Sequence, residues 1–113
     1  MQTPEGKVKD AIKRVLRARG TWFYMPVQNG LGVHGIPDFV CCHPVLITED
    51  MVGKTLGAFV GIEAKAVGKE RNTSAHQKMV IAQINEHGGL AFVTSDAEIV
   101  EDNLNKLEGV IYE

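Results

Sequence analysis

The sequence has only two cysteines, and they are adjacent, at Cys41 and Cys42. A disulfide between neighbouring residues is strained and closes no useful loop, so we expect reduced thiols and a cytoplasmic protein. No stretch approaches the ~18 consecutive apolar residues of a membrane-spanning helix. The first five residues lack the apolar centre of a signal peptide. We therefore expect neither a secreted nor a membrane protein.

A large charge of either sign is also missing, because the 113 residues carry a formal net charge of −2. The charges are nevertheless segregated along the chain. Six of the 12 basic residues lie between Lys7 and Arg19, and six of the 14 acidic residues lie between Asp96 and Glu113. Local patches govern contact with phosphates. The basic segment can therefore bind nucleic acid, or it can be only the solvated face of a helix.

Periodicity and turn residues predict one domain over residues 1–113, with elements in the order α-β-β-β-α-β-α-β. A helix begins at Thr3 and Pro4 and ends at Gly20. Another is capped by Thr73 or Ser74. The remaining segments are strands at 22–27, 38–42, 58–65, 90–94 and 110–112, a short strand that can form at 45–47, and a helix over 97–107. This order predicts an α/β (α+β) fold with a mixed sheet flanked by helices.

Two charged residues, Glu63 and Lys65, end the apolar strand over 58–65. Because side chains alternate along a strand, both project from one face, roughly 7 Å apart along the chain. The neighbouring apolar strand at 90–94 favours an interior position, where isolated charges are costly. An exposed strand end with a weak ion pair, worth under ~1 kcal/mol, is the alternative.

A second carboxylate, Asp38, follows Gly35-Ile36-Pro37 and begins the strand at 38–42. It can be a simple turn acid, or a ligand held in place by the rigid proline before it. Two carboxylates can hold a hard cation, and a lysine can meet a phosphate or an attacking water. Together with Glu63 and Lys65, Asp38 predicts a metal-dependent phosphodiesterase site.

Two further polar residues have open roles. Gln77 shares the sheet-facing side of its helix with Ile81 and Ile84, so it needs a partner, either in the site or in a helix-to-loop hydrogen bond. Glu5 is either an acid favoured by the helix N-terminus or an auxiliary acid of the site.

The residues Glu5, Gly35-Ile36-Pro37-Asp38, Ile62-Glu63-Ala64-Lys65 and Gln77, in this order, resemble the PD-(D/E)XK nuclease superfamily. Within it, the sequence is similar to the virus-type replication-repair nuclease (VRR-NUC) domain in its short stand-alone phage form. The resemblance spans roughly residues 3 to 105 and includes segments 59–65, 73–77 and 88–93. It implies a restriction-endonuclease-like αβββαβ core.

The resemblance also implies DNA cleavage that depends on Mg²⁺ or Mn²⁺, in a homodimer similar to Holliday-junction resolvases. By position, Asp38 and Glu63 become metal ligands, with Ala64 included in the metal set. Lys65 becomes the catalytic lysine, Gln77 the helix glutamine and Glu5 the auxiliary acid. No small-molecule cofactor is implied. The alternative function is a non-catalytic nucleic-acid-binding module on the same fold.

We expect basic side chains to hold the DNA backbone without reading its sequence. They belong to the first helix, to the charged loop after Lys65, and to the helix that carries Gln77. The predicted DNA-binding residues are Lys13, Arg17, Lys69, Arg71 and Lys78.

Overall fold

In the computed structural model, which describes residues 2–27, 35 and 37–109, helices and strands follow the predicted order as far as residue 107. In chain order they are α1 (Pro4–Ala18), β1 (Trp22–Tyr24), β2 (Val40–Cys42), β3 (Val60–Ala64), α2 (Ala75–Glu86), β4 (Leu90–Thr94) and α3 (Ala97–Leu107). The chain therefore has a mixed α+β fold, as predicted. The predicted strand at 110–112 and most of the glycine-rich turn at 28–35 lie outside the described residues.

The ends of α1 follow from local chemistry. The Thr3 side chain accepts a hydrogen bond of 2.9 Å from the Gly6 backbone N–H, and Pro4 occupies the first turn, where its missing N–H costs nothing. Beyond the other end, Gly20 adopts a φ of 69°, which glycine reaches without steric cost. Within the described residues, no helix is both long enough and apolar enough to cross a membrane.

The described strands form two separate two-stranded sheets, whereas the sequence predicts one mixed sheet. β1 pairs with β2 in antiparallel fashion, and β3 pairs with β4 in parallel. The predicted interior position of β3 is wrong for this part of the chain, because Ile62 is 47% exposed. A long connection, residues 43–59, separates β2 from β3. No regular strand forms at 45–47 within this connection.

The buried centre lies where α2 crosses the β3–β4 sheet. Ile84 of α2 and Ala91 of β4 are both almost fully buried. A Cβ atom on Gly61 of β3 would lie 3.3 Å from Ile84 Cδ1, a tight contact, so glycine at this position allows α2 to pack closely on β3. The close approach fixes α2 over the face of β3 that carries Gly61 and, two residues further on, Glu63.

Contacts at one end join the two sheets. Trp22 of β1 donates a hydrogen bond of 3.2 Å from Nε1 to Gln83 Oε1 of α2, and its ring lies 5.6 Å from the Phe59 ring, before β3. The buried Cys42 of β2 lies against the turn after α2, with Sγ 3.7 Å from the His87 carbonyl oxygen. The β1–β2 pair is thus attached to the rest of the fold at its Cys42 end.

The two cysteines face opposite ways, as adjacent strand residues must. Both are free, and Cys41 is exposed whereas Cys42 is buried. Burial raises the pKa of the Cys42 thiol, which keeps it protonated and unreactive. Of the two cysteines, only Cys42 contributes to the core.

One residue on the outer edge of β4, Ala91, has its backbone groups bonded by a side chain. Leu90 N–H bonds to Phe59 and the Thr94 carbonyl accepts from Lys65, so alternate residues of β4 face β3. Ala91 therefore points its backbone groups away from β3. The Asn85 amide satisfies both: Nδ2 donates to the Ala91 carbonyl at 3.1 Å, and Oδ1 accepts from its N–H at 2.8 Å.

Candidate active site at the end of β3

The carboxyl end of β3 brings a carboxylate and an ammonium group together. Glu63 and Lys65 lie on the same face, as the alternation of strand side chains predicts, and Lys65 Nζ lies 3.4 Å from Glu63 Oε1. The two side chains are 34% and 18% exposed. Partial burial strengthens this ion pair relative to one in bulk water. The Lys65 backbone N–H bonds to the Thr94 carbonyl at 3.0 Å, which anchors the strand end to β4.

Gln77 joins both charged groups from α2. Its Nε2 donates to Glu63 Oε1 at 2.7 Å, and its Oε1 accepts from Lys65 Nζ at 3.1 Å. The sheet-facing position predicted for Gln77 is therefore confirmed, and its partners are the candidate site residues. Glu63, Lys65 and Gln77 are called the β3–α2 triad below. A carboxylate offers about four acceptor positions, so the two contacts to Glu63 leave room for a further ligand.

The start of α2 holds Gln77 in this orientation. Ser74 caps the helix, with its Oγ accepting from the Gln77 N–H at 3.0 Å, and the Gln77 Oε1 accepts from the Ser74 N–H at 3.0 Å. This reciprocal pair is a capping box. The sequence signal for it, serine followed three residues later by glutamine, is present at Ser74 and Gln77. The same signal could have identified the support of the triad from sequence alone.

Replacing Ser74 by alanine should lower the free energy of unfolding by about 1 kcal/mol, because α2 loses its side-chain cap. Urea unfolding followed by circular dichroism measures this change. Thr48→Ala is the matched control, since Thr48 precedes the short 3-10 turn Glu49–Met51 and makes no side-chain capping bond. The control should change stability by less than ~0.5 kcal/mol. Equal effects of the two substitutions would contradict this role of Ser74.

The structure does not bring the whole predicted site together. No hydrogen bond or ion pair between described residues joins Asp38 or Glu5 to the β3–α2 triad. Asp38 is exposed and precedes β2, which belongs to the other sheet. Glu5 lies on α1, 3.6 Å from Lys9 of the same helix. Ala64 sits in the β3–β4 ladder opposite Thr94 and can offer a metal only its backbone carbonyl.

The donor set of the triad suits a hard cation that retains water. Among the described residues, no group of three or more His, Cys, Asp or Glu side chains could hold a metal ion. A dedicated cage for Zn²⁺ or Ca²⁺ is therefore not found in that part of the chain. Mg²⁺ is commonly bound by one or two carboxylates, with waters and substrate phosphates completing its shell. Glu63 is the one carboxylate of the triad, and it has acceptor positions beyond its contacts with Lys65 and Gln77.

A groove runs beside the triad, between β3 and α2. It has a volume of about 230 Å³, and Glu63, His76 and Gln77 line its polar end. Val80, Ile81 and other apolar side chains line the rest. The sequence analysis did not identify His76. It directly precedes Gln77 in the first turn of α2, so both residues lie at the same end of this helix. Two residues of the triad, Glu63 and Gln77, therefore line this groove.

The predicted DNA-binding residues fall into two groups. Lys69 and Arg71 are exposed at the short 3-10 turn that follows β3, and Lys78 is exposed directly after Gln77. These three are close to the triad along the chain. Lys13 and Arg17 lie on α1, where Lys13 Nζ is 3.7 Å from Asp10 and the Arg17 guanidinium lies 5.6 Å from the Phe23 ring centre. Basic side chains therefore occur both on α1 and around the β3–α2 triad in the chain.

Comparisons of this chain with protein-family models, with curated proteins and with solved structures found no match.

Proposed function

We propose that this protein is a metal-dependent DNA endonuclease that hydrolyses phosphodiester bonds, with the β3–α2 triad at its active site. The observation that carries the proposal is the contact of Lys65 and Gln77 with the single oxygen Glu63 Oε1, at 3.4 and 2.7 Å. A carboxylate, an ammonium and an amide that are held together at the end of a strand can bind and polarise a phosphate. The resemblance to VRR-NUC domains supports the same function.

In this proposal, Lys65 stabilises the negative charge that develops on the phosphate in the transition state. Its Nζ is already positioned by Glu63 and Gln77, so little reorganisation is needed when the substrate binds. Gln77 orients both neighbours, since its amide contacts Glu63 on one side and Lys65 on the other. The capping box in turn fixes Gln77. Such layered support is what a preorganised site requires.

Glu63 and Asp38 would hold Mg²⁺ or Mn²⁺, with the Ala64 carbonyl as a further oxygen ligand. When bound, the cation supplies Lewis-acid polarisation of the phosphate and lowers the pKa of the attacking water. Asp38 belongs to this set if β2 lies along β3, as in the restriction-endonuclease-like core. Because β2 and β3 lie in separate sheets among the described residues, the assignment of Asp38 rests on the resemblance alone.

The basic residues near the triad would hold the DNA. Lys69, Arg71 and Lys78 are exposed close to Lys65 and Gln77 in the chain, so they can contact phosphates on either side of the cleaved bond. Lys13 and Arg17 extend the basic surface along α1. Contacts of this kind carry no sequence information. The expected specificity is therefore for DNA structure, as in enzymes that cut branched junctions.

Cleavage should require a divalent hard cation, because the proposed ligands are all oxygen atoms. Incubating plasmid and junction DNA with the protein should give products with Mg²⁺ or Mn²⁺ and none in EDTA. Ca²⁺ should support binding with little turnover. Undiminished cleavage in EDTA would contradict the metal-dependent mechanism. DNA binding without cleavage under every metal condition would favour the alternative, a non-catalytic nucleic-acid-binding module.

A further inference from the structure

A second cleft lies between the end of α1, the start of β1 and the last turn of α2. Its volume is about 740 Å³, which falls in the range of roughly 300–1,000 Å³ that is typical of ligand sites. Its lining includes Arg17, Trp22, Phe23, Gln83 and His87. No residue of the β3–α2 triad lines it, so this cleft is separate from the candidate active site.

An arginine and an aromatic ring lie together on one side of the cleft. The Arg17 guanidinium lies 5.6 Å from the centre of the Phe23 ring, within the ~6 Å of a cation–π contact. Phe23 in turn packs on Phe39, with their ring centres 5.8 Å apart. No ion pair between described residues neutralises Arg17, so its charge is available to a phosphate. Guanidinium planes and aromatic rings are the surfaces on which proteins stack unpaired bases.

The other ring of the cleft, Trp22, is half-buried and held in a fixed orientation. Its hydrogen bond to Gln83 holds one edge of the indole, and the ring packs on Phe59 and Tyr24 at centre distances of 5.6 and 5.7 Å. A ring that is already immobilised loses little freedom when a ligand stacks on it. Neighbouring strand residues face opposite sides, so a cleft lined by both Trp22 and Phe23 extends across the start of β1.

The polar groups of the cleft suit a neutral base. His87 Nδ1 lies 2.6 Å from the Gln83 carbonyl oxygen, so Nδ1 is the donor, and in the neutral ring the other nitrogen, Nε2, is an acceptor. Cytosine, adenine and guanine carry amino groups that can donate to such an acceptor. Glu86 also lines the cleft, is exposed, and carries the charge opposite to that of Arg17. The cleft is therefore unsuited to a second phosphate, and the proposed contacts do not include Glu86.

We propose that this cleft binds one unpaired base of a DNA strand, which stacks on Trp22 and the Arg17–Phe23 pair while Arg17 contacts the adjoining phosphate. Aromatic stacking beside a cation is how many proteins hold single strands. Residues 83–87 lie six to ten residues beyond Gln77 on α2, about 9 to 15 Å along the helix axis. One strand spans this distance in about three to four nucleotides. The role of the site rests on the proposed function: it selects DNA with a single-stranded segment a few nucleotides from the cleaved bond.

The fluorescence of Trp22 reports directly on this site, because Trp22 is the only tryptophan of the chain. An oligodeoxycytidylate of about 12 nucleotides, within the usual site sizes of single-strand binders, should quench this fluorescence when it is titrated into the protein. EDTA in the buffer prevents metal-dependent cleavage. A duplex of the same length keeps its bases paired, and an abasic strand carries the same phosphates without bases. Neither should produce comparable quenching.

Substitutions in the cleft separate stacking from charge. Arg17→Ala should weaken binding of the single strand at least about fivefold, because the base loses a stacking partner and the phosphate loses its cation. Phe23→Leu removes a ring without changing the charge and should also weaken binding, with circular dichroism showing that the fold is retained. Arg14→Ala is the matched control, since it removes an exposed arginine of α1 that does not line the cleft. Its effect should be much smaller.

The outcomes distinguish this site from the proposed nuclease activity. Equal quenching by the single strand and the abasic strand, or equal effects of Arg17→Ala and Arg14→Ala, would overturn the base-binding cleft. If the protein cleaves junction DNA but single strands do not quench Trp22, the cleft is overturned and the proposed function stands. If single strands quench Trp22 but no metal supports cleavage, the cleft is supported and the endonuclease activity is contradicted.

Discussion

Lys65→Ala should reduce the rate of DNA cleavage about 100-fold or more, the usual loss when a group that stabilises transition-state charge is removed. The expected cause is local. Lys65 Nζ contacts two polar atoms, Glu63 Oε1 and Gln77 Oε1. Glu63 and Gln77 keep the hydrogen bond between them when the lysine is lost. The free energy of unfolding should therefore change by less than ~1 kcal/mol. Single-turnover cleavage assays and urea unfolding measure the two effects.

The matched control is Lys54→Ala, which removes an exposed lysine from the connection between β2 and β3. It should leave both the rate and the stability near those of the unchanged protein. A near-normal rate for Lys65→Ala would mean that Lys65 is a structural ion-pair residue and that the active site lies elsewhere. A large loss of stability would show that the ion pair with Glu63 supports the fold.

Glu63→Gln should have the largest effect on cleavage, about 1,000-fold, because a catalytic metal supplies several kcal/mol of transition-state stabilisation. The substitution keeps the size of the side chain and an oxygen that can accept from Gln77, so α2 should remain docked on the sheet. The charge needed to hold a cation is lost. Higher Mg²⁺ should recover part of the activity if the defect is in metal affinity. Cleavage rates over a titration of Mg²⁺ measure this recovery.

Glu86→Gln makes the same chemical change at the exposed end of α2, nine residues beyond Gln77. Its rate and its dependence on Mg²⁺ should match those of the unchanged protein. If Glu63→Gln instead behaves like this control, Glu63 is not a metal ligand. The β3–α2 triad would then retain only Lys65 and Gln77, and it would have no carboxylate to hold a cation.

Features that depend on local chemistry were predicted well from the sequence. The bounds of β4 and α3 agree with the structure, as does the start of α1. The common face of Glu63 and Lys65 follows from strand alternation, and the inward face of Gln77 follows from helical periodicity. These patterns depend on residues only a few positions apart, so tertiary contacts did not need to be known.

Features that depend on distant pairing were predicted less well. β1 stops at Tyr24, short of the predicted 22–27, and β3 lacks the interior position expected for it. β2 and β3 lie in separate sheets, and no local pattern predicts the pairing of strands that are separated by the long connection over 43–59. Asp38 is therefore not brought to the triad. The contact of Lys65 with Gln77 also depends on how α2 packs across β3 at Gly61. The sequence does not predict this packing.

The amide of Asn85 has a consequence for solubility. Unpaired strand edges are templates for the addition of another strand, and short sheets with exposed apolar residues are prone to this kind of aggregation. At Ala91 both outward-facing backbone groups are already bonded to the Asn85 side chain, so an incoming strand would find neither a donor nor an acceptor there. Asn85, at the end of α2, thus opposes the addition of another strand at this point of the β4 edge.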